Sequence, residues 1–287
     1  MFLKEFIIKE AISDPALSLI NEISDIIVAQ FFIEEGVQIS LYAKDKRDYA
    51  SLIALINNLN IDEKLPSYFV CKIKNAEIKE LNNNEVNNWK KYLVDVEIDS
   101  KLRIVTPWSK NKNFKSIIIN PSLAFGTGHH STTKGCISIL CKLKNLNFIP
   151  EKSLDIGCGS GILSLAAHKL FNIESYLYDI DERAIIETKR NFEFNNIKNF
   201  NNIFLSKDIN YSIKYDLIMI NISKEYIFEN IEKILKNNFS YLIISGFMFK
   251  DFNDINTYVK KNNLSINMMY DFSSWISLGL SKNVKNN

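Results

Sequence analysis

A short glycine-rich segment near the middle of the chain has the composition of a ligand-binding loop. From Ser153 to Leu163 the sequence reads SLDIGCGSGIL, so an apolar run leads directly into three closely spaced glycines. Glycine lets the backbone turn tightly and approach a ligand closely, and the unpaired N–H groups at the start of a helix attract polar atoms. The segment therefore predicts a strand, a binding turn that contains Gly157 and Gly159, and a helix.

The glycine spacing and two nearby carboxylates indicate which kind of ligand would bind. The spacing is G-x-G-x-G, shorter than the G-x-G-x-x-G of dinucleotide-binding loops. The next predicted strand ends at Asp179, about 20 residues after Gly157, where a carboxylate can accept both hydroxyls of a ribose. Together these features predict an adenosine-containing cofactor. The short spacing, with Asp155 just before the glycines, favours S-adenosylmethionine over a nicotinamide.

Two more polar segments are predicted to reach the same edge of the sheet. Asn221 ends an apolar strand, next to the point where strand order reverses in doubly wound sheets and ligands bind. Upstream, residues 120–133 read NPSLAFGTGHHSTT, a glycine-bearing loop that runs into a helix. Thr132 or Thr133 can cap that helix, and these hydroxyls can reach the carboxylate or amine of a cofactor.

The elements that must position these residues follow a regular pattern from Arg103 onward. Apolar runs alternate with amphipathic stretches, which predicts right-handed crossovers and a parallel sheet covered on both faces. Residues 266–271 and 275–280 predict an antiparallel hairpin at one edge of that sheet. The predicted strands are 116–119, 153–156, 175–179, 203–206, 216–221 and 241–245, and the predicted helices are 132–143, 161–171, 182–195 and 224–236.

The region before residue 103 has a different pattern, typical of a small α+β unit. Proline after Asp14 favours a helix start there, and an apolar-periodic stretch follows as far as Phe32. The predicted strands are 5–10, 37–43 and 68–73, and the predicted helices are 14–32, 45–58 and 84–96.

Composition limits the classes of protein to consider. The chain has 287 residues, a formal net charge of +2 and 46% hydrophobic residues, which is enough to bury a core. Its apolar runs fall far short of the roughly 20 residues of a membrane span, and its start lacks a signal-peptide pattern. The small net charge disfavours a general nucleic-acid binder, and four scattered cysteines disfavour a zinc site or a disulfide framework. We expect a cytoplasmic protein that binds no membrane, no metal and no nucleic acid directly.

Five segments, in order, resemble one family of enzymes. They are similar to the methyltransferases of protein eleven of the large ribosomal subunit, over about residues 84 to 282. The F-G-T-G-x-H-x-T-T loop distinguishes this family from other methyltransferases, because G-C-G-S-G alone occurs in a great many of them. The segments are PSLAFGTGHHSTT at 121–133, LDIGCGSGILSLAAHKL at 154–170, YDIDERAI at 178–185, IMINI at 218–222 and LIISGF at 242–247.

The resemblance implies an α/β fold with a seven-stranded Rossmann-like methyltransferase sheet and a small α+β, ferredoxin-like N-terminal domain. The implied domains are a substrate-recognition domain over 1–83, a linker helix over 84–102 and an S-adenosylmethionine-dependent methyltransferase domain over 103–287. The implied reaction is methylation of amino groups, lysine side chains and the N-terminus, of large-subunit ribosomal protein eleven. We expect the enzyme to be a monomer.

The resemblance also implies roles for individual residues. Thr133, Gly157, Asp179 and Asn221 would contact the cofactor, with Thr127 close by and Asn221 beside the sulfonium. The amine must be neutral to attack, and burial beside the positive sulfonium lowers the pKa of an ammonium, so no dedicated base is required. We therefore expect Asn221 to orient the amine as the catalytic residue. The expected cofactor-binding set is Thr127, Thr133, Asp155, Gly157, Gly159, Asp179 and Asn221.

The sequence departs from the family pattern in three places. Ser131 stands where many members have Pro. Lys224 stands shortly after Asn221, in a segment where the family has small or apolar residues. Only three strands are predicted before residue 84, where a ferredoxin-like unit has four, so the expected mode of substrate recognition depends on an unidentified strand.

Other functions fit the sequence less well. A nicotinamide-dependent oxidoreductase needs the longer glycine spacing. A methyltransferase of amides or nucleobases usually has Asn or Asp followed by Pro-Pro and an aromatic residue, and Asn221 is followed by Ile-Ser-Lys. A ribosome-binding module without activity is disfavoured because the cofactor positions are intact. The main alternative is a class I methyltransferase that acts on a small molecule or another protein.

Overall fold

The chain forms two compact units in a computed structural model. The units comprise residues 1–94 and 95–287, and each is described by itself. The structure describes residues 2–8, 27–33, 36–43, 45–58, 67–80, 95–99, 101–120, 128, 130–272 and 275–282.

The N-terminal unit is a four-stranded antiparallel sheet accompanied by helices. The strand order is β2-β3-β1-β4, the order and pairing of a ferredoxin-like unit. The core beside the sheet includes Tyr49 and Leu52 from the first described helix and Val70 and Ile73 from the second. The elements are β1 (Phe2–Ile8), β2 (Ile27–Ile33), β3 (Gly36–Ala43), α1 (Lys46–Asn58), α2 (Ser67–Asn75) and β4 (Ile78–Glu80).

Two predictions for this unit were wrong, and together they explain the unidentified strand. The helix predicted as far as Phe32 gives way to strand over residues 27–33, a β-branched and aromatic run that pairs with β3. The strand predicted at 68–73 is helix α2, because its buried residues Val70 and Ile73 recur at helical spacing. The short strand β4, which is exposed, carried no apolar signal. The part of the predicted helix before residue 27 lies outside the described residues.

The second unit begins with a small three-stranded sheet. It contains β5 (Val96–Ile98), β6 (Leu102–Val105) and β7 (Ser116–Ile118) in that order. Strands β5 and β6 pair antiparallel, and β6 and β7 pair parallel. The predicted linker helix over 84–102 is therefore wrong from residue 96 onward, because this segment pairs as a strand. Residues 84–94 of that prediction lie outside the described residues.

The main sheet of the second unit has seven strands and confirms the predicted fold class. The strand order is β10-β9-β8-β11-β12-β14-β13, with β14 antiparallel to both of its neighbours and the other pairings parallel. The order reverses between β8 and β11, so their carboxyl ends flank the crevice where open α/β sheets bind ligands. The strands are β8 (Lys152–Ile156), β9 (Glu174–Asp179), β10 (Ile203–Leu205), β11 (Leu217–Asn221), β12 (Tyr241–Met248), β13 (Leu264–Phe272) and β14 (Trp275–Lys282).

Helices cover both faces of the main sheet, as the alternation predicted. Three of them share one hydrophobic cluster with Leu177, Met219 and Ile243, and two share the other with Ile218 and Leu242. The first face carries α3 (Ser131–Asn145), α4 (Ile162–Phe171) and α5 (Glu182–Phe194), and the second carries α6 (Lys224–Lys236) and α7 (Phe252–Lys261).

Helix α7 was not predicted. Its fully buried residues are only Ile255 and Val259, and most of the other residues in the segment are polar or charged. Among the helices of the described ranges, none is long and apolar enough to cross a membrane.

Candidate active site

Strand register places the predicted polar side chains on one face of the main sheet. Asp155 pairs with Leu177 on β9 and with Met219 on β11. Because side chains two residues apart on a strand point the same way, Asp179 and Asn221 lie on the same face as Asp155. That face is covered by α3, α4 and α5. The sheet therefore brings these three residues together at its carboxyl edge.

The glycine turn adopts a backbone that other residues rarely tolerate. Gly157, Gly159 and Gly161 have φ angles of 69°, 55° and 76°, in the left-handed region where glycine carries no steric penalty. The turn is fixed to the neighbouring strand, because the N–H groups of Gly157 and Cys158 both donate to the Tyr178 carbonyl at 2.8 and 3.1 Å. A Cβ at Gly157 would lie 2.5 Å from the Ile222 side chain, so the turn also packs closely against the segment after Asn221.

Helix α5 supports the glycine turn from behind. The Thr188 hydroxyl donates to the Gly159 carbonyl at 2.8 Å, and the Asn191 amide donates to the Ser160 carbonyl at 2.9 Å. Both side chains are fully buried. Gly161 leaves room for this contact, since a Cβ there would lie 3.0 Å from Thr188 and from the Phe192 ring. These contacts fix the backbone of the turn against α5.

The Asp179 carboxylate accepts two backbone hydrogen bonds and keeps acceptor capacity. One oxygen accepts from the Gly159 N–H at 2.9 Å, and the other accepts from the Asp181 N–H at 3.0 Å. A carboxylate has about four lone-pair sites, so each oxygen can take one more donor. This geometry suits the two neighbouring hydroxyls of a ribose. Next to it, Ile180 is 79% exposed, an apolar side chain available to cover an aromatic ring.

The Asp155 carboxyl group is buried beneath the glycine turn. It is 1% exposed, and one oxygen accepts hydrogen bonds from both the N–H and the hydroxyl of Ser164, at 3.2 and 2.8 Å. Burial raises the pKa of Asp155 to about 7, against the lowering effect of the Ser164 hydrogen bonds. Asp155 therefore links β8 to the first turn of α4, on either side of the glycine turn.

Thr133 lies in the first turn of α3, which begins at the predicted position. His130 caps the helix, because its Nδ1 accepts from the Thr132 N–H at 3.3 Å and lies 2.7 Å from the Thr132 hydroxyl. The Thr133 Oγ1 is buried and has no hydrogen-bond partner among the described residues. A buried hydroxyl without a partner is costly, so this atom is suited to a ligand. Thr127, the other predicted threonine, lies outside the described residues.

Asn221 ends β11, and its side-chain Oδ1 is buried without a hydrogen-bond partner within the described ranges, as the Thr133 hydroxyl is. The backbone beyond it is held by Gly246, whose φ is 105° and where a Cβ would lie 1.9 Å from the Ile222 carbonyl oxygen. Gly246 lies between Ser245 and Phe247, where the register of β12 against β14 shifts. The backbone of the neighbouring strand at this bulge therefore packs directly against Ile222, the residue after Asn221.

Lys224, a departure from the family pattern, forms an ion pair within the protein. Its ammonium donates to the Asp251 carboxylate, and this hydrogen bond raises the pKa of Lys224. Asp251 also accepts from the Met248 N–H at 3.3 Å. The positive charge near Asn221 is therefore neutralised within the protein.

Taken residue by residue, the described part of the site offers groups that fit an S-adenosyl cofactor. The described residues contain no cluster of three or more His, Cys, Asp or Glu side chains that could hold a metal ion. Instead, the edge of the sheet offers a preformed glycine turn, an acceptor pair at Asp179 and two orphaned polar atoms, Thr133 Oγ1 and Asn221 Oδ1. These groups can bind the ribose and the amino-acid end of such a cofactor, and they can lie beside its sulfonium.

Sequence reasoning missed the residues that hold the site in place. Ser164, Thr188, Asn191 and Gly246 contact the site residues or their backbone, but none of them is part of a spacing that predicts a ligand. Only the helical position of Thr188 and Asn191, on the buried face of α5, indicated that they point inward. Their partners are carbonyl groups of the turn, which no sequence pattern identifies.

Comparison with known proteins gives one consistent result. A family model described as ribosomal protein L11 methyltransferase (PrmA) matches residues 9–283. A protein of that name from Campylobacter fetus is 39% identical over 178 residues, which are 61% of this chain and 62% of that protein. This match therefore spans somewhat less than two thirds of the relative. Another, from Lactobacillus gasseri, is 30% identical and the match covers 87% of this chain and 90% of that protein.

A solved structure has the same fold. The ribosomal protein L11 methylase from Lactobacillus delbrueckii subsp. bulgaricus superposes with a TM-score of 0.57 at 26% identity, over 66% of this chain and 99% of that one.

Proposed function

The chain belongs to the ribosomal protein L11 methyltransferase family, and from this premise we propose that it transfers methyl groups from S-adenosylmethionine to amino groups of ribosomal protein L11. The acceptors are lysine side chains and the N-terminal amine. The observation that carries the proposal is the pair of orphaned buried atoms, Thr133 Oγ1 and Asn221 Oδ1, on the same edge as the glycine turn. A bound cofactor would supply the hydrogen-bond partner that each of these two atoms lacks among the described residues.

The cofactor would bind along the carboxyl edge of the sheet. Asp179 would accept the ribose hydroxyls with its remaining lone pairs, and Ile180 would cover the adenine. The Gly157–Gly159 backbone would let the amino-acid end approach, with Thr133 donating to its carboxylate. Asp155 would act through the turn, because its carboxyl group is buried and bonded to Ser164. Thr127 would complete this contact set from the loop before α3.

The catalytic task of the chain is to hold a neutral amine in line with the donated methyl group. S-adenosylmethionine supplies the methyl group as an electrophile on a sulfonium. In-line displacement needs the two reacting atoms about 3 to 3.5 Å apart and aligned. The Asn221 Oδ1 can accept a hydrogen bond from the amine and thereby direct its lone pair toward the methyl carbon. Burial and the adjacent positive charge favour the neutral amine.

The two units would have different functions. We assign substrate recognition to the small α+β unit, predicted over 1–83, and catalysis to the remainder, predicted over 103–287. We also propose that the enzyme acts as a monomer in the cytoplasm, a reducing compartment that suits its free cysteines.

Selectivity for the acceptor tests this proposal against the main alternative, a small molecule or another protein as substrate. Purified L11, unrelated basic proteins and small amines are incubated with labelled S-adenosylmethionine and the enzyme, with Asp179→Ala as the control. We expect label in L11 alone, lost in the control. Label in small amines or another protein, with L11 unlabelled, would overturn the assigned substrate while leaving the methyltransferase in place.

A further inference from the structure

We propose that Ser277, acting with Ser245, is a positioning residue that sets the first turn of α3 against the sheet and thereby aligns Thr133 with Asn221. These two residues are called the serine pair below. The inference rests on the proposed function, because Thr133 and Asn221 matter here as contacts for the cofactor. Neither serine belongs to the predicted site.

Strand register puts the serine pair in line with Asn221. Asn221 on β11 is the partner of Ser245 on β12, and Ser245 is the partner of Ser277 on β14. Directly opposite residues on paired strands point to the same face of a sheet. Three polar side chains on adjacent strands therefore form one row across the sheet, on the face that α3 covers.

Hydrogen bonds continue this row into α3. The hydroxyl groups of Ser245 and Ser277 lie 2.8 Å apart, and the Ser277 hydroxyl donates to the Thr132 carbonyl at 3.3 Å. Each hydroxyl has one proton and two lone pairs, so Ser245 can donate to Ser277 while Ser277 donates to Thr132. The Ser245 hydroxyl also lies 2.8 Å from the Ile276 carbonyl, an alternative acceptor for its proton. The last acceptor in the row is the residue directly before Thr133.

The packing around the serine pair leaves α3 little freedom to move. A Cβ at Gly135 would lie 2.2 Å from the Ser277 Oγ, so the helix backbone rests directly on this hydroxyl. Ser245, Ser277 and the neighbouring Cys136 are all buried. Burial raises the pKa of Cys136 to about 12, so its thiol stays neutral and adds no charge beside the pair. The row is therefore a neutral, close-packed contact.

The two ends of the row are the two orphaned atoms of the site. The serine pair is hydrogen-bonded within the protein, whereas Asn221 Oδ1 at one end and Thr133 Oγ1 just beyond the other have no partner among the described residues. A ligand that bonds to both ends needs them at a fixed separation. The serine pair sets that separation, because it connects β12, the strand paired with β11, to the start of α3.

Binding of S-adenosylmethionine to full-length variants tests the proposal. Ser277→Ala removes the bond to Thr132, and we expect the Kd for S-adenosylmethionine, measured by titration calorimetry, to rise about 5- to 10-fold, the effect of one hydrogen bond. Ser245→Ala should raise the Kd in the same direction and serves if Ser277→Ala fails to fold. Since Ser277 acts through Thr133, Ser277→Ala should raise the Kd by less than about twofold in a Thr133→Val background.

Ser153→Ala provides a matched control for loss of stability. Ser153 is also fully buried and its hydroxyl lies 2.7 Å from that of Ser175, but this pair is at the amino ends of β8 and β9, at the opposite edge of the sheet. We expect a comparable fall in Tm and an unchanged Kd. If Ser277→Ala lowers the Tm but leaves the Kd unchanged, or if its effect adds fully to that of Thr133→Val, the positioning role is wrong. If the wild-type enzyme binds no S-adenosylmethionine, the proposed function is overturned as well.

Discussion

Two aspartates on one face of the sheet have different roles because their surroundings differ. Asp179 accepts two backbone N–H groups and stays partly exposed, so its remaining lone pairs can reach a ligand. Asp155 is 1% exposed, and its pKa is raised to about 7. Both were predicted to bind the cofactor. The partial exposure of Asp179 supports a direct contact with a ligand, whereas the burial of Asp155 supports a role through Ser164 and the glycine turn.

Replacing Asp179 by alanine should weaken cofactor binding selectively. Each lost hydrogen bond to a charged acceptor is worth about 1.5–3 kcal/mol, so we expect the Kd for S-adenosylmethionine to rise about 100-fold. Asp181→Ala is the control, since Asp181 is an exposed carboxylate that caps α5 two residues later. It should lower the Tm slightly and change the Kd by less than about twofold. Equal effects of the two variants in calorimetric titration would argue against a ribose contact at Asp179.

Replacing Asp155 by asparagine should change how stability depends on pH. Because burial raises the pKa of Asp155 from 3.8 to about 7, its ionised form is disfavoured in the folded state. The unfolded chain ionises first, so this group reduces the stability of the wild type as the pH rises from about 4 to about 7. Asp155→Asn keeps an acceptor for Ser164 and cannot ionise.

The measurement is the Tm of both proteins across this range. The Tm of Asp155→Asn should gain on that of the wild type as the pH rises through the window and then keep a constant difference above it. A difference that is the same at about pH 4 and about pH 8 would show that Asp155 titrates normally in the folded protein.

At the scale of elements, the sequence predicted most where burial is two-sided. The strands of the parallel sheet read as continuous apolar runs because helices cover both faces, and the turn before α4 was found from its glycines. In the N-terminal unit, Ile27–Ile33 and Ser67–Asn75 were assigned to the wrong class. Short apolar runs do not separate helix from strand by periodicity alone. Pairing with β3 decided the first of these segments.

Replacing Gly246 at the bulge should destabilise the fold around the site. Alanine at 246 would meet the Ile222 carbonyl at 1.9 Å with φ at 105°, so we expect a loss of stability of about 3 kcal/mol or more. The control is Gly279→Ala in the adjacent strand, where the nearest atom is a Tyr241 ring carbon at 2.9 Å. That side chain can shift, so the loss should be smaller. Chemical denaturation measures both, and equal losses would mean that the bulge has no special role.

At the scale of the whole molecule, the two units should respond differently to the cofactor. All the described site residues lie in the unit of residues 95–287. A ligand that binds the folded state stabilises it by about 2.7 kcal/mol at 100 times its Kd. Scanning calorimetry of the full chain should therefore show S-adenosylmethionine shifting the transition of this unit upward. An equal shift of a separate transition assigned to residues 1–94 would indicate that the first unit also binds the cofactor.

The most direct test is a crystal structure of the enzyme with S-adenosylhomocysteine, the product left after methyl transfer. We expect the ribose hydroxyls within hydrogen-bond distance of the Asp179 carboxylate, the amino-acid end between the Gly157–Gly159 turn and Thr133, and the sulfur beside Asn221. Density for the ligand at another edge of the sheet, or a ribose that makes no contact with Asp179, would contradict the assignment of this site.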